Sequence, residues 1–245
     1  MIPLGRVVEI VRYPVKSMAG VKTESAFLGW HGLQGDRRFA FRRLDDHSNF
    51  PWLSASRLSE LLLYQPIRLD ESSGEPLPTH VCTPDGSKFN LRSAELDAEI
   101  SKRFGSKVEL MQLKHGIFDE APISVISLAT IAGIGRAAGM GADLDRRRFR
   151  ANIIVETESD ELFLEDKWIG GTLVFADPDS SPAVSVTMRD LRCVMVNLDP
   201  DTAEKNASVM KTVVQLNENH AGVYASVART GRIRIGAQVS LSLNV

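Results

Sequence analysis

Val184-Ser185-Val186-Thr187-Met188-Arg189-Asp190-Leu191-Arg192-Cys193-Val194-Met195-Val196 is an apolar stretch interrupted by Thr187 and by the Arg189-Asp190 pair, with Arg192 beside Cys193. β-Branched residues at this density suit a pleated, half-buried surface, and the stretch divides into strands over Val184 to Met188 and Arg192 to Val196. The same texture extends in both directions. Val7, Val8, Ile10 and Val11 form a strand that Tyr13-Pro14 ends or holds at a sheet edge. Further strands are predicted over Glu24 to Leu28, Arg38 to Arg43, Val108 to Leu113, Ile123 to Ser127, Ile153 to Val155 and Leu173 to Phe175, with a terminal hairpin of Arg232 to Ile235 and Val239 to Leu243. Only two segments carry a helical period. Ser56 to Tyr64 has Leu58, Leu61 and Leu62, and Ser93 to Phe104 sets Leu96, Ile100 and Phe104 on one face, with Ser93 as N-cap and Gly105 as stop. Asp70 to Pro76 is a solvated acidic turn. Many short strands with few helices make a mainly β fold with some α, an antiparallel barrel in place of alternating βαβ units. A boundary falls near Lys114 to Pro122.

The chain has 245 residues, 43% hydrophobic and 24% charged, with 29 basic against 31 acidic side chains and a net charge of −2. It is long enough to bury a core without a metal or disulfide staple. A near-neutral balance argues against a general nucleic-acid binder, which needs a basic excess to neutralise phosphates. Two cysteines, Cys82 and Cys193, exclude four-cysteine zinc or iron–sulfur sites and disulfide-rich scaffolds. There is no signal-peptide pattern at Met1 to Arg6 and no apolar run of ~18 residues, so no membrane span is read. The expected setting is cytoplasmic, with free thiols.

Several motifs are excluded or weak. Gly133-Ile134-Gly135-Arg136-Ala137-Ala138 has the form of a dinucleotide fingerprint, but Leu128 to Ala132 separate it from the strand before it, so it is read as a glycine-rich helix end. The 5 histidines are scattered, and neither a nucleophile elbow nor a P-loop is present. What remains is a set of cations beside turns: Lys16-Ser17, Asp36-Arg37-Arg38, and Arg146-Arg147-Arg148-Phe149-Arg150. Such placement suits a phosphate or another polyanion, although each cation alone is ordinary surface. Cys82 reads as packing. Cys193, next to Arg192, is a candidate thiolate, and thereby a candidate nucleophile or soft metal ligand.

Taken in order, Tyr13-Pro14-Val15-Lys16-Ser17, Gly35-Asp36-Arg37-Arg38-Phe39, Arg148-Phe149-Arg150-Ala151-Asn152-Ile153, Arg192-Cys193, Gly222-Val223-Tyr224 and Gly231-Arg232-Ile233-Arg234-Ile235-Gly236 resemble the MOSC family, named for the C-terminal domain of molybdenum-cofactor sulfurases. The resemblance is to the branch with an N-terminal β-barrel region, which includes the mitochondrial amidoxime-reducing components. It implies an N-terminal β-barrel-like region over residues 1–117 and a MOSC domain over 118–245, with a molybdenum cofactor (Mo-molybdopterin) between them. Cys193 would be the protein ligand to molybdenum and the catalytic residue. Lys16, Ser17, Arg37, Arg57, Arg150, Asn152, Arg192 and Tyr224 would hold the cofactor. The implied activity is reduction of N-hydroxylated substrates such as amidoximes. Electrons would come from a separate ferredoxin-, flavodoxin- or cytochrome-b5-like donor. The family's other associations imply two alternatives, a sulfur carrier with a Cys193 persulfide supplied by a pyridoxal-phosphate desulfurase, or a non-catalytic cofactor carrier. Two positions depart from the pattern: Leu191 stands where the family commonly has serine, which removes a hydrogen-bond donor, and Ala151 stands in place of proline.

Overall fold

The computed structural model describes residues 1–68, 76–177 and 181–243. In chain order its strands are β1 (Ile2–Arg12), β2 (Val21–Thr23), β3 (Ser25–Gly29), β4 (Gly32–Leu33), β5 (Phe39–Arg43), β6 (Gln65–Ile67), β7 (His80–Cys82), β8 (Lys88–Asn90), β9 (Val108–Gln112), β10 (Ile123–Ser127), β11 (Ile153–Thr157), β12 (Gly171–Phe175), β13 (Ala183–Leu191), β14 (His220–Arg229), β15 (Gly231–Arg234) and β16 (Gln238–Leu243). The helices are α1 (Ala94–Phe104), α2 (Leu128–Ala137) and α3 (Ser208–Asn217). None is long and apolar enough to cross a membrane.

The expected mainly β architecture is present, built on a closed 7-strand barrel in the order β11, β10, β14, β13, β12, β16, β1 and back to β11. Its interior is filled by alternate side chains, among them Val7, Ile10, Val125, Ile153, Phe175, Val186, Val223 and Leu241, with Trp168 buried against them. Closure falls to β1. One edge of β1 pairs with β16 and the other with β11, and the register slips between Pro3 and Gly5 on one side and between Val7 and Glu9 on the other. Bulges of this kind bend a strand and increase its twist, which lets one strand close a barrel. A second core, including Phe39, Phe41, Leu61, Tyr64 and Ile100, lies among β5, β9 and α1. A third packs α2 and α3 against the outer face of β10 and β11, through Ile126, Ile154 and Val213.

The structure corrects several local expectations. The barrel is not wholly antiparallel: β10 and β11 run parallel, joined over α2. Both strands are therefore covered on two faces, and Ile123–Ser127 is buried at every position. The terminal hairpin does not form, because β15 pairs with β3 while β16 pairs with β1 and β12, with a turn at Gly236 (φ 85°) between them. Ser56 to Tyr64 shortens to a 3-10 turn at Ser59–Leu63, which suffices to bury Leu61 and Leu62 before β6 begins. The Asp70 to Pro76 turn lies outside the described residues apart from Pro76.

Ser93 caps α1 by accepting from the Leu96 amide, and Gly105 (φ 82°) ends it, both as expected. Gly133 and Gly135 sit inside α2, not at its start. At Gly135 a Cβ would stand 2.2 Å from the Gly141 carbonyl oxygen, so glycine is required there by close packing and not by a phosphate.

Gly5 has φ +147°, and a Cβ there would stand 1.9 Å from the Glu156 carbonyl oxygen. Gly5→Ala is expected to destabilise the protein by about 3 kcal/mol, read as a lower urea midpoint at unchanged slope. Unaltered stability would show that the bulge does not hold the barrel closed.

Candidate functional site

Pairing of Ile10 with Ile153 carries β1 past the start of β11, and the Val11 amide then donates to the Asn152 carbonyl. The chain leaves the barrel at Tyr13-Pro14. It is met by the 36–39 segment, where the Arg37 amide donates to Tyr13 O and the Phe39 amide to Pro14 O. Asp36 fixes this junction. Its carboxylate accepts the Tyr13 amide at 2.6 Å and pairs with Arg37 Nη1 at 2.5 Å. Arg37 also donates to Asn152 Oδ1 (3.1 Å) and to the Arg150 carbonyl (3.3 Å). Asn152 is fully buried, accepts the Ser124 amide and donates to Val11 O.

Lys16, Ser17, Arg37, Arg150, Arg192, Cys193 and Tyr224 line one cavity of about 70 Å³, together with Asp119, Ser124, Arg148, Asp190 and Leu191. Three of these non-glycine residues, Ser17 (φ 68°), Arg37 (φ 46°) and Arg150 (φ 51°), hold left-handed backbone, a costly conformation concentrated here. Asn152 stands behind the cavity as a positioning residue for Arg37. Arg57 is exposed, close enough to Asp46 to act on its charge, and does not line the cavity.

The expected strand over Arg192 to Val196 is absent: β13 ends at Leu191, and a 3-10 turn follows at Val194–Asn197 with Cys193 at its N-cap. The cause is Arg192, whose buried guanidinium donates to Ala221 O (2.7 Å) and Phe149 O (2.6 Å) and lies 2.8 Å from Asp190 Oδ2. Gly222 (φ +78°) leaves room for it, since a Cβ there would stand 3.2 Å from Arg192 Nη2. Arg192 is thus committed to the barrel wall and to Asp190, while the Cys193 side chain is exposed in the cavity.

The electrostatics are those of a buried, mostly cationic cleft. Burial pushes Tyr13 up to about 12, against the opposing Arg150 and Arg37, and Arg150 stacks 4.2 Å over its ring. Burial also lowers the Arg150 guanidinium to about 10 and lowers Lys16, which Asp119 opposes across 2.7 Å. Asp190 is raised by burial, with Arg192 and hydrogen bonds from Ser124 and Tyr224 opposing. Tyr224 is raised by burial and by Asp190.

Asp119, Ser124, Asp190 and Arg148 complete the cavity beyond the residues predicted from sequence. A charge inside the apolar stretch marks Asp190, whereas nothing local marks Asp119. Among the described residues no group of three or more His, Cys, Asp or Glu side chains could cage a metal. A metal held here would have to bring ligands of its own and take the soft sulfur of Cys193.

The MOSC domain matches residues 112–240, and the MOSC N-terminal β-barrel domain matches residues 4–48. This chain belongs to the MOSC domain family. Among solved structures, the YuaD protein from Bacillus subtilis is similar to this MOSC chain at 12% identity and TM-score 0.53, over 99% of this chain and 97% of that one, a likeness of fold. YiiM from Escherichia coli is similar at 11% identity and TM-score 0.44, over 98% of this chain and 71% of that one. No curated protein matches. Both MOSC matches contribute to the cleft, residues 16, 17 and 37 from the N-terminal one and 119, 148–150 and 190–193 from the other.

Burial alone would raise the Asp119 carboxyl, but Lys16, then Arg37 and Arg150, hold it below its usual value. The unfolded chain therefore binds this proton more readily. The stabilisation is complete above the unfolded value near ~4 and is lost as pH falls through the lower folded value. In thermal unfolding, Asp119→Asn is expected to melt below wild type at neutral pH, with the gap closing as pH falls through the lowered folded value. A gap that stays constant with pH would show that Asp119 is not held by these cations.

Proposed function

We propose that this MOSC cleft binds a molybdenum cofactor through Cys193 and reduces N-hydroxylated substrates with electrons from a separate donor protein. The observation that carries the proposal is an exposed thiol sharing one cavity with Lys16, Arg37 and Arg150. The residues fit such a group. The donor set offers one thiol and, among the described residues, no metal cage, which suits a metal arriving with dithiolene sulfurs. Arg148 Nε and Nη1 are buried donors without a hydrogen-bond partner among the described residues, which suits an anion. When bound, the cofactor supplies two-electron redox chemistry at molybdenum, taking oxygen from the N–O bond of an amidoxime or hydroxylamine.

The chain's own residues bind, orient and supply protons. Cys193 is the metal ligand, held at the cavity by the turn that begins there. Lys16, Arg37 and Arg150 receive the anionic part, with Ser17 as a hydroxyl donor. Asp36 and Asn152 keep Arg37 in place, a positioning role. Tyr224, hydrogen-bonded to Asp190, keeps its phenol proton at neutral pH, because burial and Asp190 both oppose its loss. It can present that proton where the departing oxygen needs one. The exposure of Cys193 also favours a second reading, in which it carries a persulfide for sulfur transfer.

The test is to purify the protein from hosts competent and deficient in molybdenum-cofactor synthesis, with wild-type chain and Cys193→Ser, and to measure bound molybdenum and pterin. Stoichiometric molybdenum is expected only in the wild type from the competent host. That sample should reduce benzamidoxime with a chemical reductant. Absence of molybdenum from every sample overturns the proposal, and a cyanide-labile sulfur on Cys193 in its place transfers the case to the sulfur carrier.

A further inference from the structure

Arg148, Arg150 and Met195 line two cavities, and only the one holding the thiol figures in the proposed function. The second is larger, about 360 Å³. Its walls are mainly apolar, including Tyr13 at the end of β1, Leu62, Pro66 and Ile67 around β6, and Leu198 beyond the Cys193 turn. The cations that border it divide into two kinds. Lys22 is paired with Glu9 at 2.9 Å, and Arg147 is held between Asp145 and Asp201 at 2.5 Å each. Arg148 is matched through Nη2 alone, by Asp199, and Arg150 makes no ion pair among the described residues.

Arg148 is only 5% exposed. Its Nη2 reaches Asp199 at 2.8 Å, but Nε and Nη1 have no protein hydrogen-bond partner among the described residues. Arg150 gives Nη1 to the Met18 carbonyl and its face to Tyr13, and makes no ion pair among the described residues. Buried guanidinium donors without acceptors are costly, and their fork geometry suits a carboxylate, sulfonate or phosphate. An apolar chamber bordered by two arginines resembles the usual form of a small-molecule site: a largely hydrophobic lining with a few convergent polar groups.

We propose that this second cavity binds a small organic anion with an apolar body, its body among Tyr13, Leu62, Pro66 and Ile67 and its anionic group on Arg148 and Arg150. The inference stands on this cavity and not on molybdenum, so it is tested first in cofactor-free protein. The occupant is a separate small molecule, distinct from any group bound at Cys193.

The probe is the fluorescent sulfonate 1-anilinonaphthalene-8-sulfonate, titrated into full-length protein from a host deficient in cofactor synthesis, with octanoate, octanol and inorganic phosphate as competitors. Saturable one-to-one binding is expected, displaced by octanoate ~10-fold more effectively than by octanol or phosphate, because body and charge are both required. Arg150→Gln should remove that preference for octanoate over octanol. Ile67→Trp, which fills the chamber, should abolish binding of the probe with little change in thermal midpoint.

Equal competition by octanol and octanoate, probe binding undiminished in Ile67→Trp, or absence of saturable binding in the wild type overturns the proposal. The separateness of the occupant is read from Ile67→Trp made in the competent host. Retained molybdenum and pterin support a separate occupant, and their loss alongside probe binding overturns the proposal, the chamber then belonging to the site already described. Failure of the molybdenum proposal leaves the probe titration in cofactor-free protein untouched, so the two can fail separately.

Discussion

The pairing of β1 with β11 is the constraint on which the rest depends. Ile10 opposite Ile153 closes the barrel, and the same register sets Tyr13 beside Ala151 and Asn152. Residues more than a hundred positions apart in sequence thereby form one surface. Because side chains alternate along a strand, a slip of one residue in this ladder would exchange the core face of β1 for its outer face. It would also carry Lys16, Ser17 and Arg37 away from Arg150 and Cys193. Barrel packing and site assembly are therefore one requirement, and the bulges beside Gly5 and Val7 serve both.

Placing several cations in one partly buried cleft is opposed by desolvation and by their mutual repulsion. The structure meets the cost with local carboxylates: Asp36 for Arg37, Asp119 for Lys16, Asp190 for Arg192 and Asp199 for Arg148. These pairs are weak evidence of net stability, since burying both partners costs much of what their attraction returns. Their effect is positional. Arg37 is held by Asp36, Asn152 and the Arg150 carbonyl together, which fixes the guanidinium plane at the cavity wall.

Much of this was legible in the sequence, for physical reasons that differ by element. Strands such as β1, β3, β5, β9, β10, β11 and β12 followed from short apolar, β-branched runs bounded by turn residues, and both ends of α1 followed from capping chemistry at Ser93 and Gly105, because these signals are local. Pairing was not legible: β15 and β16 are consecutive and short enough for a hairpin, yet each completes a different sheet. Likewise, nothing within Leu191 to Val196 reveals that Arg192 turns into the barrel wall, because its acceptors lie at Phe149 and Ala221. Family resemblance collected Lys16, Arg37, Arg150, Cys193 and Tyr224 from distant parts of the chain. It gave no notice of Asp119 or Ser124, whose partners are set by the fold alone.

A net charge of −2 and a pair of cysteines are poor material for the metal and anion site proposed above. The carboxylates explain how both facts coexist. Asp36, Asp119, Asp190 and Asp199 cancel the cleft's cations in the overall sum while leaving particular donors free, so neutrality of the chain says nothing about the potential at one wall. Arg148, with Nε and Nη1 unpartnered among the described residues, and Arg150, with no ion pair among them, form the partition between the two cavities. An anion that settles there neutralises the part of the cluster that the protein itself leaves open. Cys193 is exposed on the far side of that partition. A single thiol then suffices as the protein's share of a metal site, because the remaining ligands can arrive with the group that the cations hold.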